Sequence, residues 1–299
     1  MKLVFSFLMM VSFGAQAWAG ALDGIFTPGG RGTGVINIRP ALGNLFARSL
    51  PTTPLEKGLL EGKVAVGVFK MGQDKDGASI KQSLPGSGGA LSLLYGFSKH
   101  WGVTAIAGFA GAKGDFQRIN PYGNVGDIVS GKPEQKAVNA ALNLVWDGFS
   151  GDNFRLPVML GLSYLKYSES LSIPFTILQG PLINHRGVMS EDYSYDEFGY
   201  SLGLAPQFNT GQFRWVPFFF STSAVNKGKR KYMERDLDTG QVYTATPNTE
   251  ESGTVVTGIQ VVYRPWNLSY SYISPSLSDV RPQDGNTMSS HTLTFSRKF

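Results

Sequence analysis

Side chains alternate between apolar and polar with a period of two through most of this sequence, and no other feature constrains the fold as strongly. Residues 267–272 read Asn-Leu-Ser-Tyr-Ser-Tyr, and similar patterns recur in 138–146, 198–205 and 254–263. A period of two is that of a β-strand with one apolar face. Beyond residue 19 no stretch approaches the roughly 18 consecutive apolar residues of a membrane helix. The chain is therefore predicted to fold from strands.

The predicted strands are joined by connections that alternate between short and long. About ten strands are predicted, at 62–71, 87–98, 101–112, 135–147, 154–168, 194–208, 212–224, 252–264, 266–275 and 289–299. The short connections are 98–100, 147–153, 209–211 and Pro265, and the long ones are 72–86, 113–134, 169–193, 225–251 and 276–288. Because alternate connections of an antiparallel meander lie at opposite ends, all short turns share one end. This asymmetry is typical of outer-membrane barrels.

The predicted fold class is all-β: a closed, antiparallel, up-and-down transmembrane β-barrel. In hydrocarbon every backbone N–H and C=O group needs a protein partner, and a sheet provides one for each only when it closes. A secreted β-sandwich is the alternative, but a sandwich buries its apolar faces and need not segregate its loops by length. A further strand at 35–38 would make the barrel twelve-stranded, and this alternative stays open.

The C-terminal residues His291-Thr-Leu-Thr-Phe-Ser-Arg-Lys-Phe299 resemble the terminal strand of bacterial outer-membrane β-barrel proteins. In that family the last residue is typically Phe, with apolar or aromatic residues at alternate positions before it. Leu293, Phe295 and Phe299 match this pattern, whereas Arg297 departs from it. The resemblance implies that this strand is the signal recognised by the barrel-assembly machinery. It also implies outer-membrane lipids and lipopolysaccharide as partners.

Three parts are predicted along the chain: a signal peptide at 1–19, an N-terminal segment at 20–61 and the barrel at 62–299. Lys2, the apolar run 3–13 and the small residues before Ala19 fit a secretory signal that is cleaved after Ala19. The chain has no Cys, so the exported protein is held together without disulfides. The net charge of +5 comes without a basic block, and no nucleic-acid partner is expected.

The N-terminal segment is predicted to enter the narrow lumen as a plug or constriction. Arg31, Arg39 and Arg48 would then line the solute path and favour anions, and Phe46 would lie in a short helix that begins at Pro40. A flexible periplasmic tail and the additional strand are the alternatives.

The inner wall is predicted to carry many small residues, which leave space in the lumen: Ala90, Ser92, Gly96, Gly199, Ser201, Gly203, Ala205 and Gly258. Large apolar residues are predicted to point inward from 214–220 and at Leu94, Met159, Leu165 and Ile273. They fit a passage for a hydrophobic solute or, as we prefer, packing against the N-terminal segment. Pro217 lies in the middle of a strand, where it costs a ladder hydrogen bond and predicts a bulge or bend.

No catalytic residue, metal ligand or cofactor is assigned from the sequence. Ser289 and His291 are the alternative, because barrel phospholipases and lipid A deacylases place a His and a Ser two apart on a lipid-facing strand, in the opposite order. His185, near Glu191 and Asp192, is a second alternative, similar to the acidic and His residues of an outer-surface protease. His100, in a tight turn, is expected to be structural.

The function predicted from the sequence is passive transport of a small solute through a narrow, partly plugged lumen. The main alternative is a surface-binding or adhesion barrel that acts through its long outer loops. A lipid hydrolase or protease of the outer membrane is the third hypothesis. The solute and the oligomeric state are left open.

Overall fold

The computed structural model describes residues 50–73, 80–119, 128–149, 151, 153–176, 186–224, 228–237, 240, 242–245, 248–249, 254–273 and 286–299. The predicted signal peptide, the strand at 35–38 and several predicted site residues lie outside this part of the chain: Arg31, Arg39, Phe46, Arg48 and His185. No helix in the part described has the length and hydropathy to span a membrane.

Seventeen strands are described, and they belong to one sheet. In chain order they are β1 (Leu60–Gln73), β2 (Ile80–Gly96), β3 (Trp101–Lys113), β4 (Asp115–Ile119), β5 (Ile128–Gly131), β6 (Glu134–Trp146), β7 (Phe154–Arg155), β8 (Val158–Thr176), β9 (Arg186–Leu204), β10 (Gln207–Thr210), β11 (Phe213–Ala224), β12 (Gly228–Asp236), β13 (Val242–Ala245), β14 (Asn248–Thr249), β15 (Thr254–Tyr263), β16 (Leu268–Ile273) and β17 (Asn286–Lys298).

Ten of these strands form a closed wall in the order β1, β2, β3, β6, β8, β9, β11, β15, β16 and β17. Every neighbouring pair is antiparallel, and β17 pairs back onto β1 with Phe295 opposite Val64. Closure removes the free edges, whose backbone N–H and C=O groups would find no hydrogen-bond partner in hydrocarbon. The prediction of a closed, antiparallel barrel of about ten strands is confirmed.

The other strands extend this wall at its two ends. At the short-turn end, β7 and β10 pair with each other. At the long-loop end, β4 and β5 form a hairpin beside β2, and β12 pairs with β9, β13 and β14. β12 and β13 form a hairpin in which Tyr232 lies opposite Ala245 and Arg235 opposite Val242.

The prediction of a long loop at 169–193 is wrong for most of these residues. β8 and β9 pair without interruption from Val158 opposite Leu204 to Thr176 opposite Arg186. Here the outward positions become polar at Lys166 and Asp196, which are exposed. Once a strand rises above the membrane its outer face no longer needs apolar residues, so the alternation that identified the strand disappears.

The outer face of the wall is apolar over the height of the barrel. Val64, Leu142, Leu162 and Leu293 are each more than half exposed. At the short-turn end aromatic rings meet in a girdle, with centroid separations of 6.4 Å for Trp101–Trp146, 5.2 Å for Phe154–Phe208 and 5.4 Å for Phe213–Tyr263. Above the apolar belt the outward positions carry exposed lysines: Lys70, Lys113, Lys136 and Lys166. An apolar belt with an aromatic girdle is the outer surface of a membrane barrel.

Three prolines interrupt the wall near the short-turn end. Pro157 separates β7 from β8, and Pro206 separates β9 from β10. Pro217 lies within β11, opposite the break between β9 and β10: β11 pairs with β10 up to Trp215 and with β9 only from Phe219. Its missing N–H therefore lies where the neighbouring ladder is already broken. The pairing of β11 with β15 continues through Pro217 opposite Ile259, so the predicted bulge or bend stays a prediction.

Candidate functional site: the barrel lumen

The small residues predicted to face the lumen do so. Ala90, Ser92, Ser201 and Ala205 are buried on the inner face, and so are Gly96, Gly199 and Gly203, while Gly258 is half-buried. Among the large residues, Leu94, Met159 and Ile273 are buried, and Leu165 packs against them. From 214–220 the inward side chains are Arg214, Val216, Phe218 and Phe220. A membrane-embedded lumen thus combines apolar bulk with small positions.

Several luminal glycines are covered by the side chains of neighbouring strands. A Cβ atom added at Gly86 would lie 2.3 Å from Cζ of Phe69, one at Gly258 2.5 Å from Cζ of Phe218, and one at Gly203 2.6 Å from Cε of Met159. Large side chains can lie flat on the wall only because these positions lack a Cβ. Part of the space that small residues were expected to leave is therefore filled by the wall itself.

At the short-turn end the chain before β1 packs against the inner wall. Leu50, Leu55 and Leu59 are at most 8% exposed. Gly58 donates its backbone N–H to the carbonyl of Gly96 at 2.7 Å, and Gly96 donates to the carbonyl of Leu59 at 2.8 Å. A Cβ at Gly96 would lie 2.3 Å from the carbonyl oxygen of Glu56, so this close approach requires glycine.

A group of buried polar side chains surrounds this segment, and we call it the basal cluster: Glu61, Lys63, Asp147, Arg155, Gln207 and Arg214. All six are at most 6% exposed. Arg155 donates through Nε to Oδ2 of Asp147 at 3.0 Å and also through Nη2 to the same oxygen. Its Nη1 donates to Oε1 of Gln207 at 3.3 Å. Lys63 lies 3.8 Å from Oε2 of Glu61.

The basal cluster holds the backbone and hydroxyl groups of the preceding segment. Lys63 donates to the carbonyl oxygen of Leu50, and Gln207 donates through Nε2 to that of Pro51 at 2.6 Å. Thr52 and Thr53 donate their hydroxyls to Glu61, the second at 3.4 Å. The partners lie on β1 and on β10, which do not pair with each other, so residues 50–53 are fixed across the short-turn end of the lumen.

Arg214 completes this end of the lumen. Its Nε donates to Oδ1 of Asn209 at 2.8 Å, while its Nη1 is buried without a hydrogen-bond partner, as is Oδ1 of Asp147. The proline breaks explain why so many polar groups converge here, because Arg155 and Gln207 belong to β7 and β10, the short strands on the short-turn side of those breaks. The cluster carries three cationic and two anionic side chains.

Higher in the lumen the wall of β6 carries two amides. Asn139 and Asn143 are at most 1% exposed and lie four residues apart on its inner face. Oδ1 of Asn143 accepts a hydrogen bond from Ser201 at 2.6 Å, whereas its Nδ2 has no partner. Neither Oδ1 nor Nδ2 of Asn139 has a partner.

At the long-loop end the lumen becomes acidic. Glu169 accepts hydrogen bonds from the hydroxyl of Tyr167 at 2.7 Å and from Nε2 of Gln135 at 2.9 Å. Glu197, on the adjacent strand, is buried as well. The lumen therefore has charged residues near both ends, with mixed charges at the short-turn end and carboxylates toward the loops.

The alternative catalytic residues do not form a dyad in the described chain. His291 is exposed on the outer face, and its Nδ1 lies 2.6 Å from the hydroxyl of Tyr270. No hydrogen bond joins it to Ser289 among the described residues. His100 contacts the carbonyl oxygen of Asp147 through Nδ1 at 3.0 Å and so links the turn between β2 and β3 to the residue that follows β6. In the described residues no group of three acidic or His side chains could hold a metal ion.

Leu293, Phe295 and Phe299, proposed as the assembly signal, point outward from the closing strand and are more than half exposed. The guanidinium of Arg297 lies 5.6 Å from the ring centroid of Phe299. The basal cluster was not predicted from the sequence. Its signal was present, because Lys63, Arg155 and Arg214 interrupt apolar strands, but pairing partners that lie up to 156 residues apart are not visible in a sequence.

These features define a transmembrane β-barrel of the bacterial outer-membrane class: a closed antiparallel wall, an apolar outer belt, an aromatic girdle and loops segregated by length. The protein is located in the outer membrane.

No protein-family model matches the chain, and no curated protein matches it. Among solved structures it is similar to the outer membrane protease OmpT from Escherichia coli, with 11% identity over 84% of this chain and 99% of that one and a TM-score of 0.45. It is also similar to OprG from Pseudomonas aeruginosa, with 12% identity over 82% of this chain and 98% of that one and a TM-score of 0.39. A third similar structure is the transport unit of the autotransporter AIDA-I from Escherichia coli, with 13% identity over 87% of this chain and 99% of that one and a TM-score of 0.37. These likenesses concern architecture and assign no function.

Proposed function

We propose that the barrel mediates passive transport of a small solute through a narrow lumen that the N-terminal segment constricts. The observation that carries the proposal is the anchoring of residues 50–53 by the basal cluster. A barrel that served only as a membrane anchor would not need a buried polar network to hold a segment across its lumen. Burying such groups is costly, and here the cost is offset by hydrogen bonds to this segment.

The constriction in this proposal includes the chain before Leu50. Lys63 on the inner wall holds the carbonyl of Leu50, and the proposal extends the constriction from this point into residues 20–49. Arg31, Arg39, Arg48 and Phe46 would then lie on the solute path, and the arginines would favour anions. A tail that returns to the periplasm and an additional wall strand are the competing arrangements.

Single-channel conductance in a planar bilayer tests the proposal. The full mature chain is compared with a chain that lacks residues 20–49 and with one that lacks 20–58. We expect small discrete conductance steps from the full chain and larger steps from each deletion, with the largest from the second. Loss of anion preference in the first deletion would support the arginine role. Silence in all three proteins would contradict transport.

The position of the N-terminal segment is tested by labelling, because a chain without Cys gives a clean background. Single cysteines are placed at 35–48 and exposed to a bulky, membrane-impermeant maleimide added from the periplasmic side of intact outer membranes. Protection along the segment is expected for a plug. Free labelling throughout would contradict it and favour the tail.

A second function, binding through the outer surface, is favoured by the height of the wall. β8, β9 and β12 continue well above the apolar belt and pair there with one another or with β13. A pore does not need this extension. Replacing residues 228–245 by a short turn should abolish adhesion to a cell monolayer or autoaggregation if the extension is a binding surface, while leaving conductance unchanged.

A further inference from the structure

The middle of the lumen contains buried amide groups with unmet hydrogen-bonding capacity. Asn139 has no partner for its oxygen or its nitrogen, and Asn143 has none for its nitrogen, although each side chain is at least 99% buried. Buried amides are nearly always hydrogen-bonded, because leaving one unpaired costs about 1–3 kcal/mol. Two incompletely paired amides on the luminal face of one strand, with only Ala141 between them, therefore require an explanation.

The wall around these amides is built from very small residues. Asn139 lies opposite Gly108 on β3, and the inward neighbours Ala110, Ala137 and Ala141 are all buried. Asn143 lies opposite Gly161 on β8, where an added Cβ would lie 2.3 Å from its Oδ1. The exceptions are Leu165, opposite Asn139 on β8, and Ile106, opposite Ala141 on β3, so the amides border a wall that otherwise carries little side-chain bulk.

Most charges of the lumen lie elsewhere, because Lys63, Arg155 and Arg214 belong to the basal cluster and Glu169 lies toward the loops. Glu197 is the exception: it lies two strands from Asn139, through Leu165, and has a partner of its own. Among the described residues, the inward positions of β3 and β6 from Gly102 to Ala112 and from Gln135 to Val145 carry no charge. An anionic solute would lose its hydration here without gaining a cationic partner, which is costly.

We infer that Asn139 and Asn143 form a subsite for an uncharged solute that bears hydroxyl or amide groups. An Asn side chain donates through Nδ2 and accepts through Oδ1, so it pairs with groups that do both. The two side chains are about 13 Å apart along the strand, from four residues at about 3.3 Å each, and a solute contacts them in succession. This inference rests on the proposed transport function, because it names the class of solute; the anion preference expected from the N-terminal arginines concerns the small ions that carry the current.

Binding is tested separately from transport, through thermal unfolding of the purified barrel in detergent. N-acetylglucosamine serves as the uncharged probe and gluconate as the anionic one. A ligand that binds the folded state raises the Tm. We expect N-acetylglucosamine to raise the Tm of the wild type, with gluconate having little effect. In Asn139→Leu the concentration needed for the same rise should increase about fivefold, as for the loss of one hydrogen bond.

Thr104→Val is the matched control. Thr104 is a buried luminal residue of β3 whose hydroxyl is paired with Ser92 at 3.4 Å, so its removal should leave the probe response unchanged. Asn139→Ala serves as the second variant if leucine prevents folding. A wild-type Tm that does not respond to N-acetylglucosamine, an unchanged response in both Asn139 variants, an equal loss in Thr104→Val, or a stronger response to gluconate would each overturn the inference.

The same proteins are then examined in planar bilayers. Ion current that N-acetylglucosamine reduces in the wild type, and reduces less in Asn139→Leu, would support both the subsite and transport. A Tm response without any ion current would leave the subsite standing and contradict the transport proposal. Ion current without a Tm response would support transport and contradict the subsite.

Discussion

Buried polar groups are mostly hydrogen-bonded within the chain at the short-turn end of the lumen, whereas in its middle some of them are not. At the short-turn end, Arg155 is bonded to Asp147 and Gln207, and Lys63 and Gln207 hold the carbonyls of Leu50 and Pro51. In the middle, Asn139 has no partner at all. Both regions are equally inaccessible.

The difference shows what each region is built for. A buried charge without a partner is too costly to keep, so most of the charges at the short-turn end are matched within the chain, and they fix a segment in place. A neutral amide costs much less to leave unpaired, so it can remain available to a partner that comes and goes. Structural anchoring and solute contact are thereby separated along the axis of one lumen.

The largest expected effect comes from breaking the ion pair of the basal cluster. Asp147→Ala leaves the guanidinium of Arg155 buried without its counter-charge, and we expect a loss of about 3–5 kcal/mol in the free energy of unfolding. Urea unfolding in lipid vesicles, followed by tryptophan fluorescence, measures this loss.

The double variant Asp147→Leu, Arg155→Met is the control, because it removes both charges and should cost less than the single variant. A single variant within about 1 kcal/mol of the wild type would mean that water reaches the pair. The short-turn end would then resemble the solvated surface rather than a sealed anchor.

The next effect tests whether residues 50–59 must pack closely on the wall. In Gly96→Val the new side chain meets the carbonyl oxygen of Glu56, to which even a Cβ would approach within 2.3 Å. We expect a loss of about 1–3 kcal/mol from overpacking, together with larger conductance steps as the segment is displaced. Gly111→Ala is the matched control, since its Cβ would lie at an ordinary 3.6 Å from the carbonyl oxygen of Gln135. Unchanged conductance in Gly96→Val would contradict a role of this segment in constriction.

Much of the wall could be predicted from the sequence, and the physical reason is the lipid. Each membrane-spanning strand must present apolar side chains outward, so alternation at 138–146 and 267–272 located β6 and β16 closely. Above the membrane this demand ends, and the outer half of β8 and β9 therefore looked like a loop. The predicted strand ends were wrong where the outer face passes from lipid to water, because the strands themselves continue beyond that level.

The contacts within the lumen were harder to predict, because luminal side chains pack against one another and are not all selected by the same lipid environment. The inward parity of Ser201 and Gly203 was predictable, yet the bond from Ser201 to Asn143 joins residues 58 positions apart. Lys63 and Gln207 were visible as polar residues in or beside apolar strands, but their partners are backbone carbonyls, which every residue has. Alternation gives the face on which a side chain lies and not what it meets there.

A smaller effect is expected from loosening one contact of the anchored segment. Gln207→Leu removes the bonds to the carbonyl of Pro51 and to Nη1 of Arg155 but leaves the Arg155–Asp147 pair. We expect a loss of about 1–2 kcal/mol in stability, about one hydrogen bond's worth for each contact. Limited proteolysis near residue 50 should also become faster, and equal proteolysis rates in variant and wild type would argue that Lys63 and Glu61 suffice to hold the segment.

The smallest expected change comes from the middle of the lumen, and its sign completes the comparison. Asn139→Leu is, like Gln207→Leu, an exchange of a buried luminal amide for leucine. Because no bond is lost within the chain and an unpaired amide is removed, the free energy of unfolding should stay the same or rise, by up to about 1 kcal/mol. Urea unfolding of both variants, without any solute, gives the two values side by side. A loss in Asn139→Leu as large as that in Gln207→Leu would mean that Asn139 is bonded inside the folded chain, and the amides would then be part of the anchor rather than open to a solute.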